Sequence, residues 1–281
     1  MKIVIFGGDG FLGTKLKEIF SKRGHEVISV DHKKSSFYQI DATKLEEVEN
    51  FLDSQKPEIV INTVALTDSV KCEKNPDLAM KLNFDATKNI SDASKKINSK
   101  LFFISSSYVF DGEKGEYVEE EPPTPSGVYA KTKFLAENEL LKEKNNVIFR
   151  VDLLYGYNGK DSPNGVFGKI LSNGEIQIGN PEQIRSPLFI EDIPPIVEKL
   201  YILKIGGLFH LSGPDRIKMK DFLLKLENLV RKDSKIKIMN DRDLLVPEKK
   251  DSSLNSKKIN KLGQNFTKID EALNLIKKKL Q

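Results

Sequence analysis

Met1-Lys2-Ile3-Val4-Ile5-Phe6-Gly7-Gly8-Asp9-Gly10-Phe11-Leu12-Gly13 decides the fold of this chain. Ile3 to Phe6 is an apolar, β-favouring run that reads as a buried strand, and Leu12 to Arg23 carries the pattern of the helix after it. Between them Gly8, Gly10 and Gly13 satisfy a G-x-G-x-x-G spacing, and Gly7, Gly10 and Gly13 a G-x-x-G-x-x-G spacing. Such a turn lets the backbone approach a pyrophosphate with no Cβ in the way, while the helix N-terminus supplies aligned N–H groups. The bland alternative is a plain glycine-rich turn; the preceding strand and following helix favour the phosphate cradle.

Along the rest of the chain short β-rich runs alternate with longer helical patterns, the signature of a parallel sheet covered on both faces. Strands are expected at Val27 to Val30, Ile59 to Val64, Leu101 to Ser105, Val147 to Leu153 and Gly207 to Leu211. Helices are expected at Leu45 to Ser54, Pro76 to Asn98, Val128 to Lys144 and Ile190 to Leu203. The turn-rich stretch Asn158 to Gly165 reads as a loop, Glu175 to Gly179 and Ile236 to Met239 as short strands, and the tail as amphipathic helices. The fold class is therefore α/β, a doubly wound parallel sheet of Rossmann type with a smaller discontinuous α/β lobe. Residues 1–156 and about 186–215 form the dinucleotide-binding domain, and about 157–185 with 216–281 the substrate lobe.

Asp31 closes the second strand 18 residues after Gly13, where an acidic side chain meets ribose hydroxyls. A carboxylate there repels a 2′-phosphate, so NAD(H) is favoured over NADP(H), although His32, Lys33 and Lys34 can pair with that phosphate. Asp41 is either an acceptor for an adenine amino group or a helix cap.

Tyr129 and Lys133 lie at i and i+4, on one helical face. An ammonium about 4 Å from a phenol, at an effective dielectric near 20, contributes roughly 4 kcal/mol. That is enough to bring a phenol of pKa about 10 toward neutrality for proton transfer. Ser105-Ser106-Ser107 follows a strand, at the sheet edge where ligands of open parallel sheets sit, and a serine hydroxyl can donate to an oxygen that becomes negative. A serine nucleophile is disfavoured, because no G-x-S-x-G elbow or histidine partner accompanies these residues. Glu119 to Glu121 reads as a solvated loop.

Composition bounds the rest. A balance of 45 basic against 41 acidic residues implies neither nucleic acid nor an anionic membrane surface as partner. The single cysteine, Cys72, excludes an internal disulfide and suits a reducing compartment, so a cytoplasmic location is expected. The chain opens on a strand running straight into the glycine turn, so no signal peptide is expected there, and no apolar run approaches the roughly 20 residues of a membrane span. His25, His32 and His210 are scattered, so no metal site is expected.

These residues together resemble the extended short-chain dehydrogenases/reductases, and within them the dTDP-4-dehydrorhamnose reductase family. The likeness spans nearly the whole chain. It rests on the glycine turn, Ile61-Asn62-Thr63-Val64-Ala65, Cys72-Glu73, Leu82-Asn83, Ser105 to Gly112, Tyr129 with Lys133, and Arg150 with Tyr155-Gly156. Phe209 to Gly213 and Ser253 to Lys258 are later echoes. The resemblance implies that Tyr129 is the proton donor, that Lys133 tunes it and binds the nicotinamide ribose, and that Ser106 polarises the substrate carbonyl. It implies cofactor contacts from Gly7, Gly10, Phe11, Leu12, Gly13, Asp31, Asp41, Ala42, Thr63, Val64 and Ala65, besides Tyr129 and Lys133. Ser106, Ser107 and Arg185 would hold the nucleotide-sugar, with Arg185 pairing with its diphosphate. A homodimer and reduction of the 4-keto group of dTDP-4-dehydrorhamnose are also implied. The chain departs from the family at Ser106-Ser107, where Thr-Asp is usual, and at Leu153, where a tryptophan is expected. Two other functions share the resemblance: a reductase or epimerase of another sugar nucleotide, and a cofactor-binding regulatory subunit like the β subunit of methionine adenosyltransferase.

Overall fold

The computed structural model describes residues 1–32, 38–159, 165–172, 175–230, 235–238, 245–246 and 249–281. Its centre is a seven-stranded, all-parallel sheet. The strands are β1 (Lys2–Phe6), β2 (Glu26–Asp31), β3 (Tyr38–Gln39), β4 (Ile59–Asn62), β5 (Lys100–Ser106), β6 (Val147–Val151) and, last in sequence, Gly207–Leu211. The spatial order runs from Gly207–Leu211 through β6, β5, β4, β1 and β2 to β3. β1 thus has β2 on one side and β4 on the other, and the order reverses there. Open α/β sheets bind ligands at such a reversal, beyond the carboxyl ends of the strands.

Alternate residues of each strand feed opposite cores. Ile3, Ile5, Ile59, Ile61, Phe102 and Phe149 face one side with the helices Phe11–Lys22 and Ile193–Ile202. Val4, Phe6, Val60, Leu101, Phe103 and Ile148 face the other, under Leu45–Gln55, Ala86–Lys96 and Gly127–Leu140. A third core gathers Tyr155, Phe167, Ile176, Phe189, Phe222 and Ile276, around the helices Met219–Val230 and Ile269–Leu280.

The sequence predicts one helix from Pro76 to Asn98. The structure has Pro76–Met80, a π-helical turn at Lys81–Asp85, then Ala86–Lys96. The wide turn accompanies a buried Asn83 whose amide is spent on tertiary bonds. Its Oδ1 accepts from Leu66 N at 2.7 Å and its Nδ2 donates to Thr132 Oγ1 at 3.0 Å. β3 and the helix Ser69–Lys74 are additions to the predicted elements. The Tyr129 helix ends at Leu140, earlier than its periodicity suggested. Lys33, Lys34, Lys160 to Asn164 and Met239 lie outside the described residues.

Candidate active site

The glycine turn is built as its residue types require. Gly7 has φ +78°, and the N–H groups of Gly7 and Gly8 both donate to Val30 O at 3.0 Å, tying the turn to β2. A Cβ added at Gly8 would stand 1.7 Å from Ser29 Oγ, and one at Gly13 2.3 Å from the carbonyl oxygen of Gly7. The helix Phe11–Lys22 begins without a side-chain cap, leaving its first N–H groups to a ligand. The cradle that glycine alone can form is therefore present, and its residues fit a dinucleotide diphosphate.

Beside the turn lies a cavity of about 250 Å³ that brings together Gly7, Gly10, Asp31, Asp41, Ala42, Thr63, Val64 and Ala65. Asp31 accepts from His32 N at 2.8 Å and Asp9 N at 3.3 Å, with the His32 ring nitrogen 2.9 Å away. Asp41 accepts from Thr43 N at 3.0 Å and Thr43 Oγ1 at 2.7 Å. These bonds, helped by Lys44 and Lys81, outweigh burial and hold its carboxyl below the usual range. Asp41 therefore braces the turn before the helix Leu45–Gln55 while lining the cavity. Thr63 Oγ1 donates to Phe6 O at 2.8 Å, which locks β4 to β1 at the cavity floor. Leu12 is buried in the core beneath β1, so the helix start at this residue can meet a ligand through its backbone, not its side chain. Phe11 O accepts from Asn158 Nδ2 at 2.5 Å.

Beyond β4, and outside the lining of that cavity, Tyr129 stands in the first turn of Gly127–Leu140, near Ser106 at the end of β5. The Ser106 hydroxyl lies close enough to the phenol to favour its ionised form, and it also accepts from Tyr108 N at 3.2 Å. Lys133 is 1% exposed; its ammonium donates to Ile104 O at 2.6 Å and lies 3.9 Å from the centre of the Phe103 ring. Burial pushes the Tyr129 phenol up to about 12, with Ser106 and Arg185 working against it. Burial also pushes the Lys133 amine down to about 7, opposed by Glu137. The Tyr129–Lys133 spacing predicts a depressed phenol. Here the sign is the opposite, because desolvation of the phenolate exceeds the help of Ser106 and Arg185, while the Lys133 ammonium is spent on Ile104 O.

The nucleotide-sugar residues are arranged differently from expectation. Ser107 is 1% exposed and donates to Asp152 Oδ1 at 2.8 Å. Arg185 pairs with the same carboxylate, Nε to Oδ1 at 2.8 Å, and Ser186 N donates to Oδ2 at 2.7 Å. Ser107 thus orients Asp152 instead of presenting a free hydroxyl. Arg185 lies with its guanidinium carbon 5.4 Å from the centre of the Tyr108 ring, and Tyr108 packs edge-on against Tyr129 with ring centres 6.3 Å apart. Lys249, which sequence reasoning missed, places its ammonium 5.1 Å from that ring and donates to Phe110 O and Asp111 O. Burial pushes the Lys249 amine down to about 8. Asp152 was also missed; its place two residues after Arg150 was the available signal. Glu119, read as solvated, is half-buried and accepts from His210 N at 2.8 Å. Among the described residues there is no cluster of metal-ligating side chains, and no helix is long and apolar enough to cross a membrane.

The family model for the RmlD substrate binding domain matches residues 1–281. The chain belongs to that family. It is 27% identical to the dTDP-4-dehydrorhamnose reductase of Aggregatibacter actinomycetemcomitans, over 80% of this chain and 78% of that one. It is 28% identical to subunit beta of methionine adenosyltransferase 2 from Rattus norvegicus, over 77% of this chain and 68% of that one. A dTDP-4-dehydrorhamnose reductase ortholog from Clostridium acetobutylicum superposes with a TM-score of 0.84 at 28% identity, covering 100% of both chains. The protein is of the extended short-chain dehydrogenase/reductase type, and its architecture is that of an NAD(P)-dependent oxidoreductase.

Proposed function

We propose that this protein reduces the 4-keto group of a nucleotide-activated sugar, with dTDP-4-dehydrorhamnose as the first substrate to test. The observation that carries the reading is the Ser106–Tyr129 pair at the carboxyl edge of β5, with the dinucleotide cavity at the neighbouring strand ends. A bound reduced nicotinamide supplies the hydride. Ser106 donates a hydrogen bond to the carbonyl oxygen as it gains charge, and Tyr129 delivers the proton. Lys133 orients the nicotinamide ribose, and Arg185 with Lys249 supplies positive charge for the diphosphate. Burial keeps the Tyr129 phenol protonated at neutral pH, as a proton donor must be before the hydride arrives.

Asp31 in the cavity supports NADH over NADPH. The likeness to the methionine adenosyltransferase subunit keeps a binding role as the second reading, against which Ser106, Tyr129 and Lys133 all stand in place. The test is oxidation of NADH and NADPH with dTDP-4-dehydrorhamnose and with other 4-keto sugar nucleotides. Turnover by the wild type, with NADH the better donor, is expected. Tyr129→Phe should lose about a hundredfold or more in kcat with cofactor affinity nearly intact. Full activity of that variant would remove Tyr129 from its role, and no turnover with any of these sugars would favour the binding role.

A further inference from the structure

Glu137 is fully buried on the Tyr129 helix, one turn beyond Lys133 and two beyond Tyr129, so the three share a face. Its carboxylate accepts from the Ser105 hydroxyl and takes Arg150 at two points, Nε at 3.1 Å and Nη2 at 2.7 Å. Lys133 on the same face reaches Ile104 O. The helix is therefore fastened to two consecutive residues of β5, Ile104 and Ser105, immediately before Ser106. Ser105, Arg150 and His210 are register neighbours across three adjacent strands, so Glu137 closes a row that crosses the sheet. Arg150 Nη1 lies 3.4 Å from His210 Nε2.

We propose that Glu137 is a positioning residue: through Ser105 and Arg150 it sets the height of the Tyr129 helix over Ser106, and it is the carboxylate one turn from Lys133 on the same face. This rests on the reductase reading above. Around Lys133, its own helix presents Tyr129 and Glu137, and β5 presents the Phe103 ring and the Ile104 carbonyl. β6 presents Arg150, with His210 behind it, and the helix Ser69–Lys74 places Cys72 beside Tyr129. Of these charges Glu137 is the one that favours the protonated amine, against a burial that alone would discharge it. A purely structural ion pair would need Glu137 only for Arg150. The additional hold on Ser105 and the effect on Lys133 tie it to the reacting end of the helix.

The experiment is a fluorescence titration of the whole protein with NADH and NADPH from about pH 6 to about pH 9, spanning the titration of Lys133. Wild-type affinity should fall on the alkaline side as Lys133 loses its proton. Glu137→Gln should move that limb about one unit toward acid, giving about tenfold weaker binding near pH 8 and only about twofold near pH 6. Ser105→Ala, with the charge intact, should leave the limb in place while lowering kcat. An unshifted limb in Glu137→Gln, or a wild type with no alkaline limb, overturns the inference even where the melting temperature drops. If Glu137→Gln does not fold, Glu137→Asp must show a smaller shift in the same direction, and an unshifted limb there overturns it too. A wild type that binds neither cofactor at any pH overturns the reductase reading and this inference with it, so the two failures are distinguishable.

Discussion

Gly13 has no room for a side chain, and what surrounds it cannot move aside. A Cβ there would lie 2.3 Å from Gly7 O and 2.7 Å from Gly8 Cα, both backbone atoms of the turn. Gly13→Ala must push the helix Phe11–Lys22 away from β1, at a cost of about 1–3 kcal/mol. Chemical denaturation and a cofactor titration should both register the change. A variant as stable and as tight-binding as the wild type would mean that the turn is not close-packed. Gly13 was legible in the sequence because its constraint is local: the spacing alone says where a Cβ is forbidden. Asp152 was not legible, since its partners Ser107, Arg185, Ser186 and Ser252 come from distant segments. The rise of the Tyr129 pKa was hidden for the same reason. Charge spacing is written in the sequence, but the depth at which the pair is buried is not.

Elements position these groups, and the entry to the Tyr129 helix shows how. Ser126 precedes the helix but makes no side-chain cap; instead Glu73 reaches across from the helix Ser69–Lys74 and accepts from Val128 N at 2.5 Å. Gly127, at φ +83°, leaves room for that carboxylate, because a Cβ there would lie 2.9 Å from Glu73 Oε1. The negative charge also complements the positive end of the helix. Glu73→Ala should lower stability by about 1 kcal/mol. Because Tyr129 sits in this first turn, kcat should fall by about tenfold with little change in KM. Loss of stability with unchanged kcat would separate the cap from catalysis. The Cys72-Glu73 pair carried part of the family likeness, yet its capping role needed the structure, as did the helix around it. Periodicity found the long helices and the inner strands, whose patterns are strong. It missed the two-residue β3 and the π turn at Asn83, where a tertiary hydrogen bond overrides helical propensity.

At the scale of the molecule, the parallel sheet could be read from alternating runs because its inner strands β1, β4, β5 and β6 are buried on both faces and therefore mostly apolar. Polar residues inside such a sheet are exceptions with consequences for stability, and His210 is among the deepest of them. It is 0% exposed; its Nδ1 lies 2.9 Å from Tyr117 O and so carries the proton, leaving the Nε2 lone pair toward Arg150. A protonated ring would bury a second cation beside Arg150, and burial first, then Arg150, pushes its pKa down to about 3. An unfolded chain binds that proton below about pH 6.5, whereas the folded one refuses it until near pH 3. Stability is therefore fully present above the unfolded value and falls with pH between the two, by at most about 1.4 kcal/mol per unit. His210→Gln removes the titration and keeps an amide able to donate to Tyr117 O. Urea unfolding from about pH 4 to about pH 7 should give a variant less stable at neutrality, with a slope against pH shallower than wild type by about one proton. Parallel slopes would mean that His210 is not held neutral, and that the row from Ser105 through Arg150 carries its charge differently from what its geometry implies.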